Sequence, residues 1–148
     1  MKPLRYAIVG AVLLVVAVGG VGLYFSFVAN PRVERELLAQ PDGERAGRVM
    51  LLTLPSGRRL PVNYLREGEL VYAAAEGPWD RELGDDEHAV EVWIRGETLA
   101  GRGRAVRDDP ARTRDVFSRL RPDALEGFGT LIEIRLAGDA RSSAAPAR

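Results

Sequence analysis

From Tyr6 to Ala29 the chain runs for 24 residues without a charged side chain, and Ser26 is the one clearly polar group in it. At about 1.5 Å rise per residue, a helix of that length can cross the roughly 30 Å hydrocarbon core of a bilayer. The run is too long and too apolar for a surface helix of a small domain. Lys2 and Arg5 precede it, as in the n-region of a secretory signal peptide. A signal peptide, however, has a shorter apolar stretch and small residues at its exit. Here Phe25, Phe27 and Val28 crowd the exit and only Ala29 is small, so a retained anchor is expected. Tyr24, Phe25 and Phe27 suit the interfacial end of such a helix. Gly19, Gly20 and Gly22, with Ser26, form a smooth patch that suits either a helix–helix contact or simply the usual glycine content of such helices.

The sequence therefore divides into an N-terminal cap (1–5), a transmembrane helix (6–29), a juxtamembrane helix and linker (30–48), a β-rich domain (49–136) and a disordered tail (137–148). Removing the first 29 of 148 residues leaves 119, enough for one compact domain and not two. Cysteine is absent, which excludes disulfides, thiolate chemistry and cysteine-bound metals. His88 is the single histidine, so no multi-histidine metal site forms within one chain and no metal is expected. Beyond the anchor, 19 basic residues face 21 acidic ones, a net of −2 that gives no electrostatic reason to expect nucleic acid. Orientation is nearly balanced. Lys2 and Arg5 favour a cytoplasmic N-terminus, whereas Arg32, Arg35, Arg45 and Arg48 favour the reverse.

Asn30-Pro31 is a helix start, and Val33, Leu37 and Leu38 share one face of a short helix ending near Ala39. Six strands follow. Val49–Leu54 is almost continuously apolar, as in a strand buried on both faces. Arg59–Leu65 alternates, with Leu60, Val62 and Tyr64 on one side. In Glu69–Ala75, Val71, Ala73 and Ala75 oppose Leu70, Tyr72 and Ala74. Residues 76–87 break the pattern around Gly77-Pro78-Trp79 and an acidic knot at Asp85, Asp86 and Glu87. His88–Ile94 directs Val90, Val92 and Ile94 inward. Glu97–Arg107 presents a small-residue face of Leu99, Gly101, Gly103 and Ala105, which suits sharp curvature or close approach of a neighbour. Asp109-Pro110 caps a helix to Leu120, and Thr130–Leu136 is the last strand. Short strands joined by hairpin turns argue for a mainly β fold. The expected domain is a small six-stranded antiparallel barrel, closed against exposed edges, with a helix before its last strand.

Several residues invite a chemical role. Ser56-Gly57-Arg58-Arg59 lies in a turn between two strands, where amides, a hydroxyl and guanidinium forks can grip a phosphate; an ordinary solvated hairpin has the same composition. Trp79 sits in an irregular loop, placed either to stack on a cofactor ring or to plug the barrel mouth. Arg81 beside it can reach an anionic group. His88 opens a strand beside three acids, a setting for proton transfer or for an unremarkable surface residue. Arg102 and Arg104 face either a ligand or solvent, and Tyr64 and Tyr72 suit either hydrogen bonding near a site or ordinary barrel packing. No catalytic residue stands out.

The run from Val49 to Leu136, 88 of 148 residues, resembles the split β-barrel family of flavin- and deazaflavin-dependent oxidoreductases, including its deazaflavin-dependent nitroreductase branch. The resemblance rests on the order of Leu51-Leu52-Thr53-Leu54, the turn Ser56-Gly57-Arg58-Arg59, Pro61, Tyr64-Leu65-Arg66-Glu67-Gly68 and the Trp79-Asp80-Arg81-Glu82-Leu83 segment. The arginine-rich strand, the Asp-Pro helix and the final strand complete it. The turn is shorter than in the family and lacks its Lys, and Glu82 stands where an amide side chain is usual. The resemblance implies a split barrel of the FMN-binding type. It also implies a reduced 8-hydroxy-5-deazaflavin coenzyme or FMN held by Ser56, Gly57, Arg58, Arg59, Trp79 and Arg81, and pairing of barrels into a homodimer. With the anchor, that describes a single-pass cell-membrane oxidoreductase, its domain in the cytoplasm, passing hydride to a quinone or other lipophilic acceptor. The alternative is a barrel that holds no cofactor and serves as an accessory subunit or binding module of a membrane complex.

Overall fold

The computed structural model describes residues 2–24, 30–123 and 127–138. Phe25, Phe27 and almost all of the tail lie outside these. Two compact units are present, Met1–Glu36 and Leu37–Arg148.

In the first unit, helix α1 spans Lys2–Tyr24, so the helix begins four residues before the uncharged run does. From Tyr6 to Val21 every side chain is exposed, on all faces of the helix. Ile8, Val12, Leu14 and Val18 are each more than half exposed. Among the described residues no helix is long and apolar enough to cross a membrane. Helix α2 follows at Asn30–Ala39, with Leu37 buried.

The second unit is built on six strands. They are β1 (Val49–Thr53), β2 (Arg59–Glu67), β3 (Leu70–Ala75), β4 (His88–Ile94), β5 (Glu97–Val106) and β6 (Thr130–Leu136). Helix α3 (Pro110–Leu120) precedes β6. The strands close into an antiparallel barrel in the order β1-β2-β3-β6-β5-β4. β1 completes the ring by pairing with β2 on one side (Leu51 opposite Pro61) and with β4 on the other (Leu52 opposite Val92). Closure satisfies backbone donors and acceptors that an open sheet would leave on an edge.

Alternation decides which side chains enter the ring. Met50, Leu52, Val71, Ala73, Val90, Val92, Ile94, Ala105, Ile132 and Ile134 meet in one interior core, with Leu60, Val62 and Tyr64 packed against it. Gly101 and Gly103 face the same interior and make room for Ile134. A Cβ at Gly101 would stand 2.9 Å from the Arg135 carbonyl oxygen and 3.0 Å from Ile134 Cγ2. One at Gly103 would stand 3.3 Å from Ile134 Cγ1. The glycines therefore permit close approach of β6 and fix the tight curvature there.

A second, smaller core lies on the outside of the ring. Tyr72, Val106 and Leu131 point outward from β3, β5 and β6, and Val116 and Phe117 of α3 cover them. α3 starts as its residues dictate. The Asp109 carboxylate accepts from Arg112 N–H at 2.9 Å, and Pro110 occupies the first turn, where no amide donor is needed.

Candidate functional site

Antiparallel order brings the ends of β1, β3 and β5 and the starts of β2, β4 and β6 to the same rim of the barrel. The β1–β2 turn, residues 76–87 and the connection around α3 all leave from this rim. The Ser56–Arg59 turn, the Trp79–Arg81 segment and His88 are thus gathered at one end, whereas Tyr64, which donates to the Ala46 carbonyl at 3.2 Å, lies toward the other.

The turn itself is tightly wound. Gly57 N–H donates to the Leu54 carbonyl at 2.8 Å, and Leu54 N–H donates to the Arg58 carbonyl at 2.9 Å. Gly57 has φ +84°, a left-handed conformation that glycine adopts without strain. The Ser56 hydroxyl oxygen accepts from Arg58 N–H at 3.4 Å. Two of the amides expected to face a phosphate, those of Gly57 and Arg58, are therefore used inside the turn, and the Ser56 hydroxyl oxygen accepts there. The Arg58 guanidinium is engaged as well, with Nη2 3.0 Å from Glu82 Oε1. Arg59 begins β2 opposite Thr53, and its side chain is exposed.

Glu82 reaches the turn because residues Pro78–Glu82 form a short 3₁₀ helix folded over the rim. Leu83 anchors this segment in the core, and Gly84 accepts from Ala105 N–H at 2.7 Å. Trp79 is half-buried and packs against the interior core. Arg81 is exposed on this segment. Arg107, at the end of β5, ties the segment down by bonding Asp85 and, at 2.8 Å, Asp80. The hydrogen bonds to Asp85 and then to Asp80 hold the Arg107 guanidinium above the ordinary arginine range.

Tested against a flavin or deazaflavin phosphate, the turn does not fit. Two backbone donors of the turn are used inside it, the Arg58 guanidinium carries a carboxylate, and Glu82 Oε2 is buried there without a partner. A second negative group would meet repulsion and not a cradle. His88 is exposed at the start of β4, and two of its acidic neighbours are bound elsewhere, Asp85 to Arg107 and Glu87 to Arg102. Among the described residues no cluster of His, Cys, Asp and Glu that could hold a metal is present.

A buried acid on β6 escapes sequence reasoning. Glu133 is only 7% exposed, on the outer face of β6. It stands opposite Tyr72 on β3 and opposite Arg104 on β5. Arg112 Nη2, from α3, lies 2.5 Å from Glu133 Oε2 in a charge contact poorly directed for a hydrogen bond, and donates to Tyr72 Oη at 2.8 Å. The Tyr72 bond, against burial and with help from Glu133, raises Arg112 above its usual range. This group clamps α3 to the barrel. The available signal was a lone acid in the apolar strand Thr130–Leu136, flanked in register by Tyr72 and Arg104. Replacing Glu133 with Ala leaves Arg112 partly buried without its acid and should cost about 1–3 kcal/mol of stability. Thermal unfolding of the E133A variant measures this, and an unchanged midpoint would remove Glu133 from the clamp.

No protein-family model matches the sequence, and no curated protein matches it. Among solved structures, the chain is similar to a putative pyridoxamine 5'-phosphate oxidase from Listeria innocua, with a TM-score of 0.49 and 19% sequence identity over 70% of this chain and 93% of that one.

Proposed function

We propose that the chain is a membrane-tethered binding module, a split barrel whose β1–β2 turn holds no phosphorylated cofactor and whose rim serves recognition. The observation that carries this reading is the Arg58–Glu82 ion pair at the turn. The tether is supported by the uncharged run from Tyr6 to Ala29 and by the exposed apolar side chains around α1. A helix apolar on all faces belongs in a membrane or a large core. In this reading the protein is an accessory subunit in the cell membrane, paired with a second copy or with another membrane protein.

A second reading keeps the oxidoreductase that the resemblance implies, with FMN or a deazaflavin as cofactor, a quinone or other lipophilic acceptor, and the domain in the cytoplasm. It is favoured by the meeting of the Ser56–Arg59 turn and the Trp79 segment at one rim, joined by Arg58 and Glu82.

Titration of the detergent-purified chain with FMN and with a deazaflavin, followed by cofactor fluorescence, separates the two. The module reading expects no saturable binding by the wild type and a gain of phosphate affinity in E82Q, where Arg58 is released. Saturable binding by the wild type that is lost on replacing Arg58 and Arg59 with Ala would establish the second reading. That loss would be about 30-fold or more, as for removing one partner of a buried charged pair. Circular dichroism controls for folding.

A further inference from the structure

We propose that the cavity between α3 and the barrel wall binds a small amphiphilic anion, with Arg121 holding its acid group. The cavity has a volume of ≈ 690 Å³, within the range of small-ligand sites. Val106, Phe117 and Leu131 give it apolar walls, and Thr113 and Ser118 of α3 add hydroxyls. Arg107, Arg114 and Arg121 line it, and among the described lining residues there is no carboxylate. Arg107 is committed to Asp80 and Asp85.

Arg121 is the decisive residue. It terminates α3, donating its backbone N–H to the Phe117 carbonyl at 2.9 Å. Its side chain is only 10% exposed. Nη1 bonds Glu76 Oε1 at 2.6 Å, and the guanidinium carbon lies 4.2 Å from the centre of the Phe117 ring. Nε and Nη2 are buried and have no partner. These two nitrogens form one edge of the guanidinium, a pair of parallel donors matched to a carboxylate or a phosphate. Gly129, with φ +96°, leaves space for that edge, since a Cβ there would stand 3.1 Å from Arg121 Nη2 and 2.9 Å from the Ala75 carbonyl.

Burying two donors unsatisfied is costly, and a bound anion would satisfy both at once. Glu76 is more than half exposed, so solvent weakens its hold on the guanidinium charge. The positive Arg121 end and the apolar wall together select a ligand with an acid head and a hydrocarbon body. A dianion without an apolar part would leave the Phe117 side of the cavity empty. The cavity shares no lining residue with the β1–β2 turn, so the assignment stands whichever reading of that turn holds.

The test uses the full chain in zwitterionic lipid nanodiscs, titrated by calorimetry with hexanoate, hexyl phosphate, hexanol and hexyltrimethylammonium. Two-dimensional NMR of the arginine Nε–Hε groups runs in parallel. One-to-one binding of an anion is expected, with a shift of the Arg121 Nε–Hε signal; the tighter of the two anions identifies the head group. Loss of the charged pair in R121Q should weaken binding by about tenfold or more. S118W fills the cavity from the exposed side of α3, keeps Arg121 and should abolish binding even if R121Q folds poorly. The proposal is overturned if neither anion binds, if hexanol or the cation binds as well as the acids, or if binding persists in S118W with an unmoved Nε–Hε signal.

Discussion

Replacing Ile134 with Ala should lower the stability of the barrel by about 2–5 kcal/mol, the usual range for emptying a fully buried aliphatic site. Ile134 is 0% exposed and belongs to the interior core. Its two branches occupy the space that Gly101 and Gly103 leave open on β5. A closed ring cannot easily collapse around a missing side chain, because both neighbouring strands are fixed by their ladders. The two glycines make the test sharper. The atoms nearest to a Cβ at Gly103 belong to the side chains of Ile134 and Val90, the closest at 3.3 Å, so G103A should recover part of the loss when combined with I134A. A Cβ at Gly101 meets the Arg135 carbonyl at 2.9 Å, and no change at Ile134 relieves that. Denaturant unfolding of the single and double variants measures the coupling. Additive losses for the I134A and G103A pair would show that Ile134 does not fill the glycine space.

The second large effect concerns location. Deleting residues 1–29 should move the protein from the membrane pellet to the supernatant, while the full chain stays in the pellet after alkaline carbonate washing. The unit Leu37–Arg148 has its own core, and its polar and charged residues carry nothing like the uncharged run from Tyr6 to Ala29. Transferring that run into hydrocarbon is strongly favourable for every one of its large apolar side chains. A full chain released by carbonate would sink the tether, and a truncated chain that stayed in the pellet would place the membrane contact elsewhere.

Much of the barrel was legible because its signals are local. Period-two alternation sorted Val90, Val92 and Ile94 from their outward neighbours, and the Asp109-Pro110 pair announced α3. The small face of β5 announced a close approach, although only the register shows that Ile134 of β6 fills it. The candidate site was legible as a set of residues but not as a set of bonds. Sequence places Arg58 in a turn and Glu82 in a distant loop, and the ion pair between them depends on how the 3₁₀ segment folds over the rim. Likewise the amides of the turn look available until Leu54 and Ser56 are seen to accept from them. Glu133 and Arg121 went unmarked for the same reason. Burial of a charge is a property of the assembled ring, and neither residue sits in a motif.

The cations of the barrel have a consequence for how it can be switched. Lys2 is the chain's single lysine, and every ion pair described in the folded unit has arginine as its positive partner. Arg107, Arg112 and Arg119 are all held above the ordinary arginine range, Arg119 chiefly by Glu67 and then Asp115. A raised basic group gives its stabilisation in full below its unfolded value and loses it only as pH climbs through the higher folded one. No alkaline pH that a cell meets can therefore discharge these pairs. At the rim and along α3, Arg107, Arg112 and Arg119 therefore act as fixed positive charges that hold their partners at every alkaline pH the protein meets.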